Sequence, residues 1–102
     1  MDENLDGPVR LLNLFRVRDE LVAAAESMLD ELVARARDDA ACRAIDVLRD
    51  VEQPNAFAVL VDFASRDDLH SYLDADWRQQ VLRGLPELLD GPLQRHVMSP
   101  VQ

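Results

Sequence analysis

The chain has 102 residues, 48% of them hydrophobic and 30% charged, with a formal net charge of -9. That suits a single domain with a modest core, and the acidic balance argues against nucleic-acid binding, which needs clustered positive charge. There is no run of about 18 apolar residues to cross a membrane, no secretory pattern after Met1-Asp2-Glu3-Asn4, and Cys42 is alone, so no internal disulfide can form. A cytoplasmic protein is expected. All 11 basic residues are arginine, for which GC-rich codon usage is the simplest account.

Residues 1–8 read as a flexible polar arm. Val9 to Val17 then reads as a strand, bounded by Gly7-Pro8 and by a helix start. Alternation puts Val9, Leu11, Asn13, Phe15 and Val17 on one face, and Arg10, Leu12, Leu14 and Arg16 on the other. Asn13 is the one polar group in an apolar row. A buried amide without partners costs about 1–3 kcal/mol, so the chain has to answer what partners it.

Asp19 is placed as the N-cap of a helix over about residues 19–38. Leu21, Ala25, Met28, Leu32 and Ala36 give its apolar stripe, with Val22, Leu29 and Val33 beside them. Cys42 to Val51 alternates as a second strand, with Arg43, Ile45, Val47, Arg49 and Val51 on one face. A turn at residues 52–55 leads to a third strand from Ala56 to Ala64, so the two form an antiparallel hairpin. Phe57, Val59, Val61 and Phe63 share one face of it.

Ser65-Arg66-Asp67-Asp68 has the form of a capping box. A helix follows, with Leu69, Tyr72, Leu73, Trp77 and Val81 as its apolar row. Asp74-Ala75-Asp76 predicts a break, with either acid placed to cap a new turn. Gly84 and Pro86 end the regular helix. A short turn at residues 86–89 and the Gly91-Pro92 punctuation precede a last strand, Leu93 to Met98. Residues 99–102 trail off.

The order β-α-β-β-α-β is the ferredoxin-like split βαβ arrangement. It predicts an α+β domain over residues 9–98, with a four-stranded antiparallel sheet and two helices on one face. The uncovered face is expected to carry Leu12, Leu14, Ile45, Val47, Leu60 and Val97. Such a patch exceeds what a monomer usually exposes, which predicts a homodimer packed sheet against sheet.

Over roughly residues 9–98 the chain resembles the antibiotic biosynthesis monooxygenase (ABM) family of the dimeric α+β barrel superfamily. The resemblance rests on the hairpin from Leu48 to Phe57, the capped helix from Ser65 to Leu73, and the stretch Leu85-Pro86-Glu87-Leu88-Leu89-Asp90-Gly91-Pro92. It implies small dimers with a pocket between sheet and helices. Members include oxygenases that act on quinols and anthrones without flavin or metal. Others degrade haem, and close structural relatives are polyketide cyclases, so fold does not settle function.

By the same resemblance, Asn13 falls where haem-degrading relatives place a catalytic strand Asn, and Tyr72 where they carry Trp and many others His. Their haem-ligating His falls near Val81 or Leu82, and neither can bind iron. That departure argues against haem degradation. A functional Asn13 would orient a phenol or carbonyl, or bind an oxyanion; an amide bonded to backbone is the structural alternative.

His70 and His96 are candidate general bases, since imidazole titrates near neutrality; each also suits an ordinary surface or strand position. Trp77, with Phe15 and Phe63, could line a site for a flat ring, or simply pack in the core. Arg83 could face an anionic substrate. No metal-ligand spacing is present, and no cofactor is expected. What the resemblance implies, with these residues in the roles named, is the expectation of a cofactor-independent monooxygenase that uses O2 to oxidise an electron-rich aromatic, such as a quinol or an anthrone-like polyketide. A cyclase or dehydratase on the same fold, or a non-catalytic binding or accessory dimer, are the rival expectations.

Overall fold

In a computed structural model, residues 7–101 are described. The elements are β1 (Val9–Arg16), a 3-10 turn (Asp19–Leu21), α1 (Val22–Arg37), β2 (Ala44–Arg49), β3 (Ala56–Phe63), α2 (Arg66–Asp74), α3 (Asp76–Val81), α4 (Leu85–Leu88) and β4 (Gln94–Met98). The strands form one four-stranded antiparallel sheet in the order β2-β3-β1-β4. This is the α+β, ferredoxin-like arrangement that the element order predicts. Most of the expected arm, residues 1–6, and the last residue of the expected tail lie outside the described residues. No helix among the described residues is long and apolar enough to cross a membrane.

The alternation of β1 sets the layers. Val9, Leu11, Phe15 and Val17 are buried with Phe57, Val59, Val61 and Phe63 of β3. Against them α1 lays Ala25, Leu29, Leu32 and Ala36, and α2 lays Leu69 and Tyr72. Arg35 and Arg37 in the last turn of α1 suit the negative end of its dipole. Ser65 caps α2 as its sequence predicts, accepting from the Asp68 N–H at 3.2 Å.

Several local expectations are corrected. Ile45 and Val47 belong to the helix-covered face, because they pair with Val61 and Val59 and directly opposed residues share a face. Val97 pairs with Leu11 and sits on that side too. The open face instead carries Leu12, Leu14, Ala58, Leu60 and Leu48, with Leu48 56% exposed. Asp19 does not cap α1: the chain enters through the 3-10 turn, whose cap position is Arg18, without a side-chain bond. β2 stops at Arg49 because Asp50 turns the chain, its Oδ1 accepting the N–H groups of Glu52 and Gln53. The helix does break between α2 and α3, yet neither acid caps it. Ala75 takes an extended conformation (φ -62°, ψ 130°) at the cap position.

The far end of the sheet is tied by backbone bonds. Asn55 donates its side-chain N–H to the Val17 carbonyl at 2.8 Å, and the Val17 N–H donates to the Asn55 carbonyl at 2.9 Å. The Arg18 N–H reaches the Leu88 carbonyl at 2.9 Å, which holds α4 across the end of β1. Leu11 is fully buried at the centre of this arrangement. Leu11→Ala should cost about 3 kcal/mol in urea unfolding, whereas Val51→Ala, at a side chain 96% exposed, should leave the midpoint unchanged.

Candidate functional site

The covered face of the sheet does not fill completely. Between it and the helices lies a cavity of about 210 Å3, floored by Asn13, Phe15 and Val59 and walled by Leu29 and Leu32 of α1 and Tyr72 of α2. Leu82, Leu85 and Pro86 close it from the α3–α4 side, and Arg95 of β4 stands at its edge. Asn13 lies in the row Arg95-Asn13-Val59 across the sheet. The residue is 8% exposed, and its Oδ1 is buried without a hydrogen-bond partner among the described residues. Among the described residues no backbone group bonds it. An unmet acceptor in an apolar row is costly, and unpartnered buried polar atoms gather where a ligand is meant to meet them.

Arg78 is the second polar group here, and its place follows from the break at Ala75. In an unbroken helix, a residue six positions after Tyr72 would lie roughly 120° away from it. The extended Ala75 resets that phase. The Arg78 guanidinium then lies over the Tyr72 ring, 4.9 Å from its centroid, and its Nε is buried without a partner among the described residues. Tyr72 is also packed against Phe63 (5.3 Å between centroids) and edge-on against Trp77 (5.8 Å). Burial raises its pKa above the ordinary tyrosine value, with the neighbouring Arg78 pulling the other way. The phenol therefore stays protonated at neutral pH and can donate a hydrogen bond.

The remaining candidates stand elsewhere. Trp77 does not line the cavity; its Nε1–H donates to Asp39 Oδ2 at 2.8 Å and pins α3 to the loop after α1. Phe63 is wholly buried beneath Tyr72. His96 pairs with Leu12 and so belongs to the open face, on the opposite side of the sheet from the Asn13 amide. His70 is exposed on α2, whose buried residues are Leu69 and Tyr72. Arg83 is exposed beyond α3 and does not line the cavity. The structure thus brings Asn13, Phe15 and Tyr72 together and leaves the two histidines, Trp77, Phe63 and Arg83 outside.

Arg78 and Arg95 escape a reading of the sequence. Arg95 could have been found from the expected strand, since alternation sets it opposite His96 in facing; Arg78 needed the backbone at Ala75. A larger concavity of about 530 Å3, with Leu14, Leu48, Ala58 and Gln94 among its walls, lies towards the open face. It is shallow and has no buried unpartnered group, so it reads as a packing surface. Burial first, then the nearby Asp39, push the Cys42 pKa up to about 11 and disfavour its thiolate, so it is poorly placed to act as a nucleophile. No group of three or more His, Cys, Asp or Glu side chains among the described residues is placed to hold a metal.

With this geometry in hand, the chain can be set beside known proteins. The model of the family described as antibiotic biosynthesis monooxygenase matches residues 8–83. The chain belongs to that family. No curated protein matches it in sequence. Among solved structures, a Mycobacterium tuberculosis protein is similar at 21% identity and TM-score 0.87, covering 94% of this chain and 97% of its own. A provisional antibiotic biosynthesis monooxygenase from Caulobacter crescentus has 17% identity and TM-score 0.89, with 96% and 93% covered. The crystal structure of another antibiotic biosynthesis monooxygenase has 16% identity and TM-score 0.86, with 92% and 99% covered. At such identities these likenesses show the fold alone. Leu82, one of the two positions near which the resemblance places a haem ligand, is an apolar wall of the cavity.

Because the Asn13 acceptor is unmet, the ABM chain should gain from losing it. Asn13→Leu is expected to stabilise the fold by about 1–2 kcal/mol in urea unfolding; a loss of similar size would mean that the amide has a structural partner.

Proposed function

We propose that this ABM protein is a cytoplasmic, cofactor-independent monooxygenase that oxidises an electron-rich aromatic, a quinol or an anthrone-like polyketide, with O2. The observation that carries the reading is the buried, unpartnered Asn13 Oδ1 inside an apolar cavity, in a chain of this family. A substrate hydroxyl would donate to Asn13, and the protonated Tyr72 hydroxyl would donate to the oxygen on which charge develops. The apolar walls hold the ring and admit O2.

With neither histidine at the cavity, the substrate proton passes to solvent where Arg95 meets the surface. The phenolate then gives one electron to O2, and the resulting radical pair recombines at a ring carbon. The peroxide breaks its O–O bond: one oxygen stays as the new carbonyl and the other leaves as water. For a naphthol the balance is naphthol plus O2 to naphthoquinone plus water.

The test is incubation with naphthols, quinols and anthrones under isotopically labelled O2, followed by product mass. One labelled oxygen per product, above a control without protein, is expected. Loss of water without label would make the protein a cyclase or dehydratase, and an unchanged panel with a shift in Trp77 fluorescence on adding a probe would favour a non-catalytic binder.

The same proposal includes a homodimer through the open sheet face. Leu12, Leu14, Ala58 and Leu60 are only half-buried there and Leu48 is exposed, which leaves a contiguous apolar surface to cover. Sedimentation should give twice the chain mass at micromolar concentration, and Leu12→Asp should shift it to the monomer. A monomeric parent chain under those conditions would refute the dimer.

A further inference from the structure

The charge around the cavity runs against the charge of the chain. The protein has 20 acidic residues against 11 arginines, yet the ionisable side chains that line the cavity, tyrosine aside, are Arg78 and Arg95, with no carboxylate among the lining residues. Arg78 makes no ion pair among the described residues, and its Nε is buried and unmet. Asp39, close enough to act on the same neighbourhood, already accepts from Trp77 and from the Ala41 N–H. A half-buried guanidinium without a counter-ion is costly, and the position of this one is fixed by the break at Ala75 and the Trp77 anchor. On the floor of the same cavity, Asn13, 8% exposed, presents an unmet acceptor.

Size narrows the occupant further. An engineered apolar cavity of about 150 Å3 takes one benzene ring. This one, at about 210 Å3, is about 1.4 times as large, room for one ring and part of a second, and it is open towards Arg95, so a second fused ring reaches the mouth while a third stands wholly outside.

We infer that the cavity selects a hydroxylated aromatic acid of two fused rings, its carboxylate bound by Arg78 with Arg95 at the edge and its hydroxyl given to Asn13 Oδ1. The inference rests on the proposed site, and it narrows the substrate class from neutral or tricyclic polyketides to bicyclic anions. Arg78 is then the residue that sets specificity. The anion also completes the hydrogen bonding of both unmet groups at once: the hydroxyl supplies the donor that Asn13 lacks, and the carboxylate supplies the acceptor that Arg78 lacks.

The test is binding without turnover, by calorimetry in oxygen-free buffer. The probes are a hydroxynaphthoate, the matching neutral hydroxynaphthamide, and a hydroxyanthracene carboxylate. The naphthoate should bind about tenfold or more tighter than the amide, as a charge-assisted contact would give, and tighter than the three-ring acid. Arg78→Gln should erase the preference for the acid while leaving amide binding within about threefold, and Arg78→Lys should restore part of it. Unfolding midpoints of both variants exclude a simple loss of fold, and Arg95→Gln should give a smaller loss of the same sign. Equal binding of acid and amide, a preference that survives Arg78→Gln, or no binding of any probe would overturn the inference. These outcomes separate it from the oxygenase reading. Labelled oxygen entering neutral naphthols would keep that reading while this one fails, and tight binding of the naphthoate without oxidation would do the reverse.

Discussion

The sheet is covered by helices on one face only, and that one-sidedness governs the rest of the molecule. Each strand has to place its apolar set towards α1 and α2, so a slip of one residue would turn a whole row to solvent. β1 shares this constraint with β3, because each is paired on both sides; β1 lies between β3 and β4. Its inner row is buried from Val9 to Val17, with Leu11 and Val17 wholly so. Within that row a polar side chain is the most expensive substitution the fold can carry. Asn13 occupies its middle, so the cost falls where it creates an unmet acceptor facing a cavity.

The opposite wall is built by a different device. The helix that would otherwise cross the sheet in one piece is interrupted at Ala75. The interruption would loosen α3 if nothing held it. Trp77 does so from both ends of its side chain: the ring packs edge-on against Tyr72, and the indole N–H donates to the Asp39 carboxylate. A hydrogen bond to a charged acceptor is among the stronger kinds, and the aromatic body adds its contact area. Tyr72 is consequently held by Phe63 below, Trp77 at its edge and Arg78 above. The role expected of Trp77 as a stacking platform passes to this anchoring, and the cavity wall is made by Tyr72 and Arg78.

The sequence makes the fold legible because hydrophobic period and turn chemistry agree along the chain. The Asn13 row, the β3 row and the Ser65 cap are all readable from spacing. The faces of β2 are less so: its alternation is clear, but both faces carry apolar residues. Only the pairing of Ile45 with Val61 decides which set is inside. For the cavity, Asn13, Phe15 and Tyr72 are readable, since each sits in a regular element with its face fixed. Arg78 is hidden because the two dihedrals of Ala75 set its direction, and nothing in Asp74-Ala75-Asp76 specifies them beyond the existence of a break. His96 is misleading for the opposite reason. It is a chemically attractive residue on a correctly read strand, and only the register with Leu12 sends it to the other side of the sheet.

An acidic chain with a cationic cavity uses electrostatics at two ranges. At a distance the net charge of -9 repels an anion, but that field is screened within about 8–10 Å at physiological salt. Inside the cavity the walls are mostly apolar side chains, so one guanidinium acts more strongly than it would at the surface. Charge therefore would not steer the anionic ligand we infer, and selectivity for it would come from the contact itself. That contact needs Arg78 to be fixed before the ligand arrives, because a mobile arginine would lose on ordering much of what it gained on binding. The break at Ala75, the Trp77–Asp39 bond and the stacked Tyr72 ring provide that fixity at the expense of a regular helix.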